Sequence, residues 1–259
     1  MNFLWSDNLN NLATNYLISP AKYGGFLIRY SGTNAAAQTT TLLNMGNVIL
    51  NVLNNDKVNT DVEFLSLANN LYYGSVEASS VSGGAFAFSV FVPSGAWFDP
   101  LNVYSLTKEM QATFKLDFPA LTSALVASGN VQISGILING IQRYWHNIGN
   151  FNVVAQGAGQ ISNTLAKANI IELYLKNPSA LISNLQLSKD GISYVNNQIG
   201  NELAYSNLIH QIETAGTFYA AEFAQNKVLS TANSLQLNYI YTFTGSGTLN
   251  QYFSQIQYL

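Results

Sequence analysis

The chain has 259 residues, of which 48% are hydrophobic and only 9% are charged, whereas soluble domains usually carry roughly 25% charged residues. The apolar fraction predicts a packed interior and excludes a disordered chain. A net charge of −3 without a basic block argues against direct nucleic-acid binding, and the absence of cysteine excludes disulfides and thiolate chemistry.

The N-terminal stretch is predicted to form an amphipathic helix over residues 3–18. Its larger apolar side chains recur at helical spacing, on one face: Trp5, Leu9, Leu12 and Tyr16. This helix would pack on its own core or on a neighbouring subunit, or it would touch a lipid surface through apolar burial. We therefore assign residues 1–21 to an N-terminal helix or arm.

Several short β-rich runs follow in the first half, at residues 25–31, 47–53, 85–92 and 131–134. Residues 54–57 have turn composition. Thr60 is the expected N-cap of a short helix, with Glu63 as its capping-box partner. The segments 143–146 and 154–159 are interpreted as a connection.

Two stretches alternate strictly between apolar and polar residues, Glu109 to Phe118 and Ser234 to Phe243, with Ile240 as the one exception. A period of two is typical of a strand with one buried and one wet face. Glu109 and Asp117 then lie on the solvent face. The two stretches occupy matching places in the two halves of the chain.

The second half repeats the order of the first. Strands are predicted at 170–176, 181–187, 192–195 and 218–224, and a helix at 199–212. A tail with apolar residues at helical spacing follows residue 247. This order predicts two similar domains, at 22–145 and 169–247, joined by a linker at 146–168 and followed by a C-terminal tail at 248–259. The competing interpretation is a single β-sandwich.

With this order of elements the chain resembles the major capsid proteins of tailless icosahedral viruses with an internal membrane, the corticovirus and tectivirus-like lineage. The likeness to the short corticovirus type is carried by pattern and length in the segments 26–32, 48–71, 88–99, 109–118, 170–175 and 198–243. It implies an all-β fold of two tandem eight-stranded jelly-roll barrels, each with a helix in a strand-connecting loop.

The resemblance also implies a function. Three copies would form a pseudo-hexagonal trimeric capsomer, and capsomers would tile an icosahedral shell around an internal membrane. Expected partners are further copies of the chain, penton and membrane proteins of the virion, and lipid near residues 1–18. The expected location is the virion capsid, assembled in the host cytoplasm. Some relatives bind calcium, but no acidic cluster here supports a metal site, and no cofactor is expected.

Enzymatic chemistry is not predicted, and no catalytic, cofactor or metal residue is assigned. His146 and His210 fall in different halves, and no nucleophile, Walker or metalloprotease motif occurs. Glu172 and Glu202 are expected to be surface or interface residues. The alternative function is an extracellular carbohydrate-binding or adhesin-type sandwich, in which Trp97 or Tyr72 would stack on sugars.

Overall fold

The computed structural model describes residues 2–9, 15–74, 77–117, 125–165, 169–189, 192–210, 218–222 and 237–259. Strands dominate these ranges, which contain two α-helices, so the all-β prediction is confirmed. The chain divides into a first unit, Met1–Asn147 with Tyr258–Leu259, and a second unit, Ile148–Gln257.

The first unit contains the helix α1 (Val62–Tyr73) and two antiparallel sheets, ordered β1-β10-β3-β7-β6, with β8 also on β3, and β2-β9-β4-β5. Its strands are β1 (Asn2–Asn8), β2 (Tyr16–Leu17), β3 (Ala21–Asn34), β4 (Asn47–Val52), β5 (Asn55–Asp61), β6 (Ala78–Ser80), β7 (Ala85–Pro93), β8 (Tyr104–Leu106), β9 (Thr113–Asp117) and β10 (Val126–Leu137).

The second unit contains the helix α2 (Ile199–His210) and sheets ordered β11-β18-β13-β16 and β12-β17-β14-β15. The strand β11 carries the chain from the first unit into the second. The strands are β11 (Tyr144–Ala155), β12 (Gly159–Leu165), β13 (Ile170–Lys176), β14 (Ile182–Lys189), β15 (Ile192–Gln198), β16 (Phe218–Glu222), β17 (Leu237–Phe243) and β18 (Gly247–Tyr258).

The two units repeat one topology. When the short strands β6 and β8 are set aside, each unit has eight strands, and in both units these strands are ordered 1-8-3-6 and 2-7-4-5 along the chain. The helix follows strand five in each unit. This arrangement is the eight-stranded jelly roll, so the predicted tandem repeat is confirmed, with β3 equivalent to β13 and β9 equivalent to β17.

Each unit buries an apolar core between its two sheets. In the first unit, Phe26 of β3 meets Phe114 of β9 edge-on, with ring centroids 4.8 Å apart. Both rings are buried, as is Leu116 two residues further along β9. The second core includes Leu185 of β14, Tyr241 of β17 and Phe253 of β18. Alternation places the buried residues of β9 and β17 on one face, as the sequence predicts.

The prediction of a helix over residues 3–18 is wrong. Residues 2–8 form β1, which pairs with β10 from Asn2 opposite Gly135 to Asn8 opposite Asn130. Residues 10–14 lie outside the described ranges, and Tyr16 begins β2. Asn, Ser and Asp have low helix propensity because their side chains compete for backbone hydrogen bonds, and Ser6 instead bonds Asn130 across the sheet at 2.8 Å.

The predicted linker and C-terminal tail are also wrong. Residues 146–168 contain most of β11 and all of β12, which are strands one and two of the second jelly roll. Residues 247–258 form β18, its eighth strand. The apparent helical spacing of the tail arises because β18 is buried on both faces from Gln251 to Ser254, and such a strand shows no alternation.

Three local boundaries differ from prediction. Asp61 rather than Thr60 caps α1, since its carboxylate accepts a 2.7 Å hydrogen bond from the backbone N–H of Phe64. The turn lies at Leu53 and Asn54, both with left-handed φ of 55° and 59°, and residues 55–57 already belong to β5. Residues 108–110 form a 3₁₀ turn, so the alternating strand starts at Thr113; Phe118 falls outside the described ranges.

Candidate functional site

The histidine with a described side chain, His146, is a packed core residue. It lies in β11, is 4% exposed, and its Nδ1 lies 3.3 Å from the carbonyl oxygen of Pro93. Burial lowers the pKa of its imidazole to about 4, although the hydrogen bond to Pro93 acts in the opposite direction. The ring is therefore neutral at pH 7. His210 ends α2, and its side chain lies outside the described part of the structure.

The acidic residues singled out by sequence are scattered. Glu109 is exposed in the 3₁₀ turn, and Asp117 forms an exposed ion pair with Lys115 at 3.9 Å. Glu202 of α2 accepts hydrogen bonds from Tyr219 at 3.2 Å and from Asn197 at 3.1 Å. Among the described residues, no three His, Asp or Glu side chains are placed to hold a metal ion.

Glu172 was expected at a surface or interface, but it is only 5% exposed within the chain. It lies on β13, between Ser254 of β18 and Glu222 of β16. Its burial follows from the position of β13 inside the sheet, which buries six of the seven strand residues. The expectation of a surface position is therefore wrong.

A buried lysine was not anticipated. Lys57 of β5 is 6% exposed, and its Nζ lies 4.9 Å from the centroid of the Trp145 ring. Tyr104 stacks on Trp145 with ring centroids 5.6 Å apart. Desolvation lowers the pKa of Lys57, and the face of the indole ring partly replaces the lost hydration. The sequence analysis assigned residues 54–57 to a turn and so did not predict that Lys57 lies in a strand and packs on Trp145.

Trp97 and Tyr72, the residues named for sugar stacking, do come together. Their rings stack at 5.4 Å with an interplanar angle of 3°, and Phe98 meets Trp97 edge-on at 5.5 Å. Each of the two stacked rings therefore covers one face of the other, and both are only partly exposed. This cluster joins α1 to the loop after β7, which is a structural role.

The helix α1 also closes the edge of a sheet. Asn69 is 1% exposed, and its amide donates to the carbonyl of Phe91 at 2.9 Å while accepting from the N–H of Phe91 at 2.6 Å. The side chain thus takes the place of a neighbouring strand for β7 at a position that β6 does not reach. Exposed strand edges are sites of unwanted pairing, so this contact protects the edge.

The outer surface of the β12-β17-β14-β15 sheet, which we call the neutral face, carries twelve side chains in three rows across the four strands. All are half-buried or exposed and none is charged. The rows are Thr164, Asn238, Ser188 and Ser193; Ser162, Ile240, Gln186 and Asn196; and Gln160, Thr242, Asn184 and Gln198. Eleven of the twelve end in an amide or a hydroxyl group.

The equivalent sheet of the first unit, β2-β9-β4-β5, presents what we call the charged face. Its ten outward residues include four charged ones. They are Leu17, Thr113, Asn51, Asp56, Lys115, Ile49, Asn59, Asp117, Asn47 and Asp61. Asp56 accepts hydrogen bonds from Asn51 at 2.9 Å and from Asn59 at 3.1 Å. A shallow groove of about 870 Å³ runs over this face, lined by Asp56, Lys108 and Lys115 among others.

No helix in the described ranges is both long and apolar enough to cross a membrane. No protein-family model matches the chain, and no curated protein sequence matches it.

The fold, in contrast, is shared. Two jelly rolls in one chain define the double jelly-roll fold, and this protein has it. Its structure matches the major capsid protein P2 of bacteriophage PM2 with a TM-score of 0.61 and 16% identity, over 98% of this chain and 97% of that one. It matches the STIV MCP with a TM-score of 0.62 and 14% identity, over 98% and 96% of the chains. It matches the PBCV-1 virus capsid at 0.60 and 9% identity, over 98% and 94%.

Proposed function

We propose that this protein is a viral major capsid protein that assembles with copies of itself into an icosahedral shell. The observation that carries the proposal is the whole-chain match to the capsid proteins of PM2 and STIV, which extends over 98% of this chain and at least 96% of theirs. The match therefore spans both jelly rolls of the chain.

The composition supports this proposal. Charged residues are only 9% of the chain, and a sparsely charged surface repels identical neighbours weakly. The carbohydrate-binding alternative is not favoured, since Tyr72 and Trp97 cover each other and the matched structures are capsid proteins.

The finer form of the proposal is a trimer of the chain with pseudo-hexagonal outline, in which each copy contributes two jelly rolls. Six similar barrels then approximate a hexagon that tiles a surface. Penton and membrane proteins of the virion, and assembly in the host cytoplasm, belong to this proposal. A lipid contact through an N-terminal helix is no longer part of it, because residues 2–8 form a strand in the sheet.

Purified protein tests the proposal. Light scattering after size-exclusion chromatography should give the mass of a trimer, and electron micrographs at high protein concentration should contain pseudo-hexagonal particles or shells. A monomer that persists at all concentrations and forms no ordered particle would overturn the proposed function.

A further inference from the structure

The second unit presents a sheet surface without charge where the first unit presents a charged one. The two surfaces belong to equivalent strands in the repeated topology, so their outward side chains can be compared directly. We infer that the neutral face is a contact surface for a second copy of this chain in the assembled shell. This inference rests on the proposed capsid function and adds to it the surface that is used.

The chemistry of the neutral face fits a protein partner of the same composition. Amide side chains both donate and accept hydrogen bonds, and so do hydroxyl groups, so the face can satisfy the polar surface of an identical chain. No fixed charge has to be desolvated when the copies meet. Ile240, half-buried between Ser162 and Gln186 in the middle row, adds an apolar centre of the kind that interfaces have.

Other occupants fit less well. None of the twelve side chains is aromatic, so the face lacks the stacking platform that sugars use. None is lysine or arginine, so it lacks the cations that phosphate groups need. A second copy, whose surface is poor in charge, is the partner that the face matches.

The strands that flank the face support the same conclusion. In the described residues, β12 pairs only with β17 and β15 pairs only with β14. Neither strand contains proline or a charged residue, which are the devices that protect the edges of monomeric sheets. The edge of β7 in the first unit, by comparison, is closed by β6 and Asn69.

The size of the face predicts how the contact behaves. Four strands spaced about 4.8 Å apart, over about seven residues at 3.3 Å each, give a surface of about 400 Å². A stable two-protein interface buries about 800 Å² on each partner. The neutral face is therefore too small to hold two isolated copies together, and it contributes where other contacts already hold copies side by side.

The test places two lysines on the face, in the exposed positions at the ends of its middle row. The variant combines Ser162→Lys with Asn196→Lys. We expect the yield of assembled particles to fall about tenfold or more, because like charges would face the neighbouring copy or lose hydration against it. In about 1 M NaCl, where the screening length is about 3 Å, the yield should recover in part.

Two controls isolate the effect. Ser162→Gln with Asn196→Gln keeps the face neutral and should assemble like the wild type. Asn59→Lys with Thr113→Lys adds the same charge to the charged face of the first unit and should also assemble. Far-UV circular dichroism of the variants should be unchanged, since Ser162 and Asn196 are exposed and the control positions Asn59 and Thr113 are half-buried on the outer side of their sheet.

The outcomes are distinct. If the wild type assembles and the Ser162/Asn196 lysine variant assembles equally well, the inference is overturned while the proposed function stands. Equal losses for the two lysine pairs would also overturn it, since they would reflect net charge. If the wild type itself does not assemble, the proposed function fails.

Discussion

Replacing Asn69 by leucine should selectively destabilise the first jelly roll. The amide of Asn69 makes two hydrogen bonds to the backbone of Phe91, at 2.9 and 2.6 Å, from a position that is 1% exposed. Leucine has the same branched outline of four side-chain heavy atoms, but it can neither donate nor accept a hydrogen bond. The N–H and the C=O of Phe91 would then be left without these partners, at about 1–3 kcal/mol each.

We therefore expect the free energy of unfolding of the first unit to fall by about 2–6 kcal/mol, a large fraction of the 5–15 kcal/mol typical of a domain. The assay is urea denaturation followed by tryptophan fluorescence. The chain has three tryptophans, Trp5, Trp97 and Trp145, and all lie in the first unit. Their emission thus reports on that unit even if the two units unfold separately.

The matched control is Asn70→Leu, the same chemical change at the exposed neighbouring position of α1. It should change the free energy by less than about 0.5 kcal/mol. In the Asn69 variant, the amide hydrogen of Phe91 should also exchange faster with solvent. A loss below about 0.5 kcal/mol for Asn69→Leu, with unchanged exchange at Phe91, would refute the edge-closing role.

Three further predictions use the same fluorescence assay. Phe114→Asp buries a charge against Phe26 and should abolish the cooperative transition, at a cost of roughly 4 kcal/mol or more; a near-native midpoint would mean that the face is misassigned. His146, with a folded pKa of about 4 against 6.5 when unfolded, binds protons more weakly in the native state. Stability should therefore fall as the pH drops from 6.5 to 4, by about 3 kcal/mol in total, and His146→Gln should flatten this slope. Deleting residues 1–9 removes strand one of the first jelly roll and uncovers β10, so it should lower the urea midpoint and promote association; a truncated chain as stable as the full one would contradict the pairing.

The parts of the fold that the sequence predicted are those with a single buried face. β9 and β17 alternate because one side of each strand contacts a core and the other side faces water. The prediction that these two strands are equivalent was correct for that reason. Strands one and two of each jelly roll were missed, since β12 is exposed at most positions and β2 has only two residues. A strand that is very short, or exposed at most positions, shows too little alternation of apolar and polar residues to be predicted from the sequence.

The misassigned termini have a related physical cause. β1 contains a register shift between Phe3 and Trp5, which breaks the alternation and leaves a spacing that mimics a helix. Its pairing with β10 is a contact between residues more than 120 positions apart, which no local pattern encodes. Tertiary pairing with β10 therefore decides the structure of residues 2–8.

The neutral face could not be predicted from the sequence either, although the polar side of one of its strands was predicted correctly. Asn238 and Thr242 were recognised as the wet side of one strand, but their neighbours lie on β12 and β14, far away in the chain. Only the register of the four strands shows that uncharged side chains meet on all of them. The informative observation is the contrast with the equivalent face of the first unit, whose ten outward residues include four charged ones.

The repeated topology turns this coincidence into a comparison within one molecule. Strands 2-7-4-5 build the same sheet twice, and selection for folding alone constrains mainly the inward residues, such as Leu116 in one unit and Tyr241 in the other. The outward residues are freer, yet one copy has four charges and the other none. In a chain with 9% charged residues, keeping charges on one face suits a surface that stays wet. The absence of charged residues from the neutral face suits a surface that a second copy covers. The lysine variants of Ser162 and Asn196 test whether the neutral face is covered in this way.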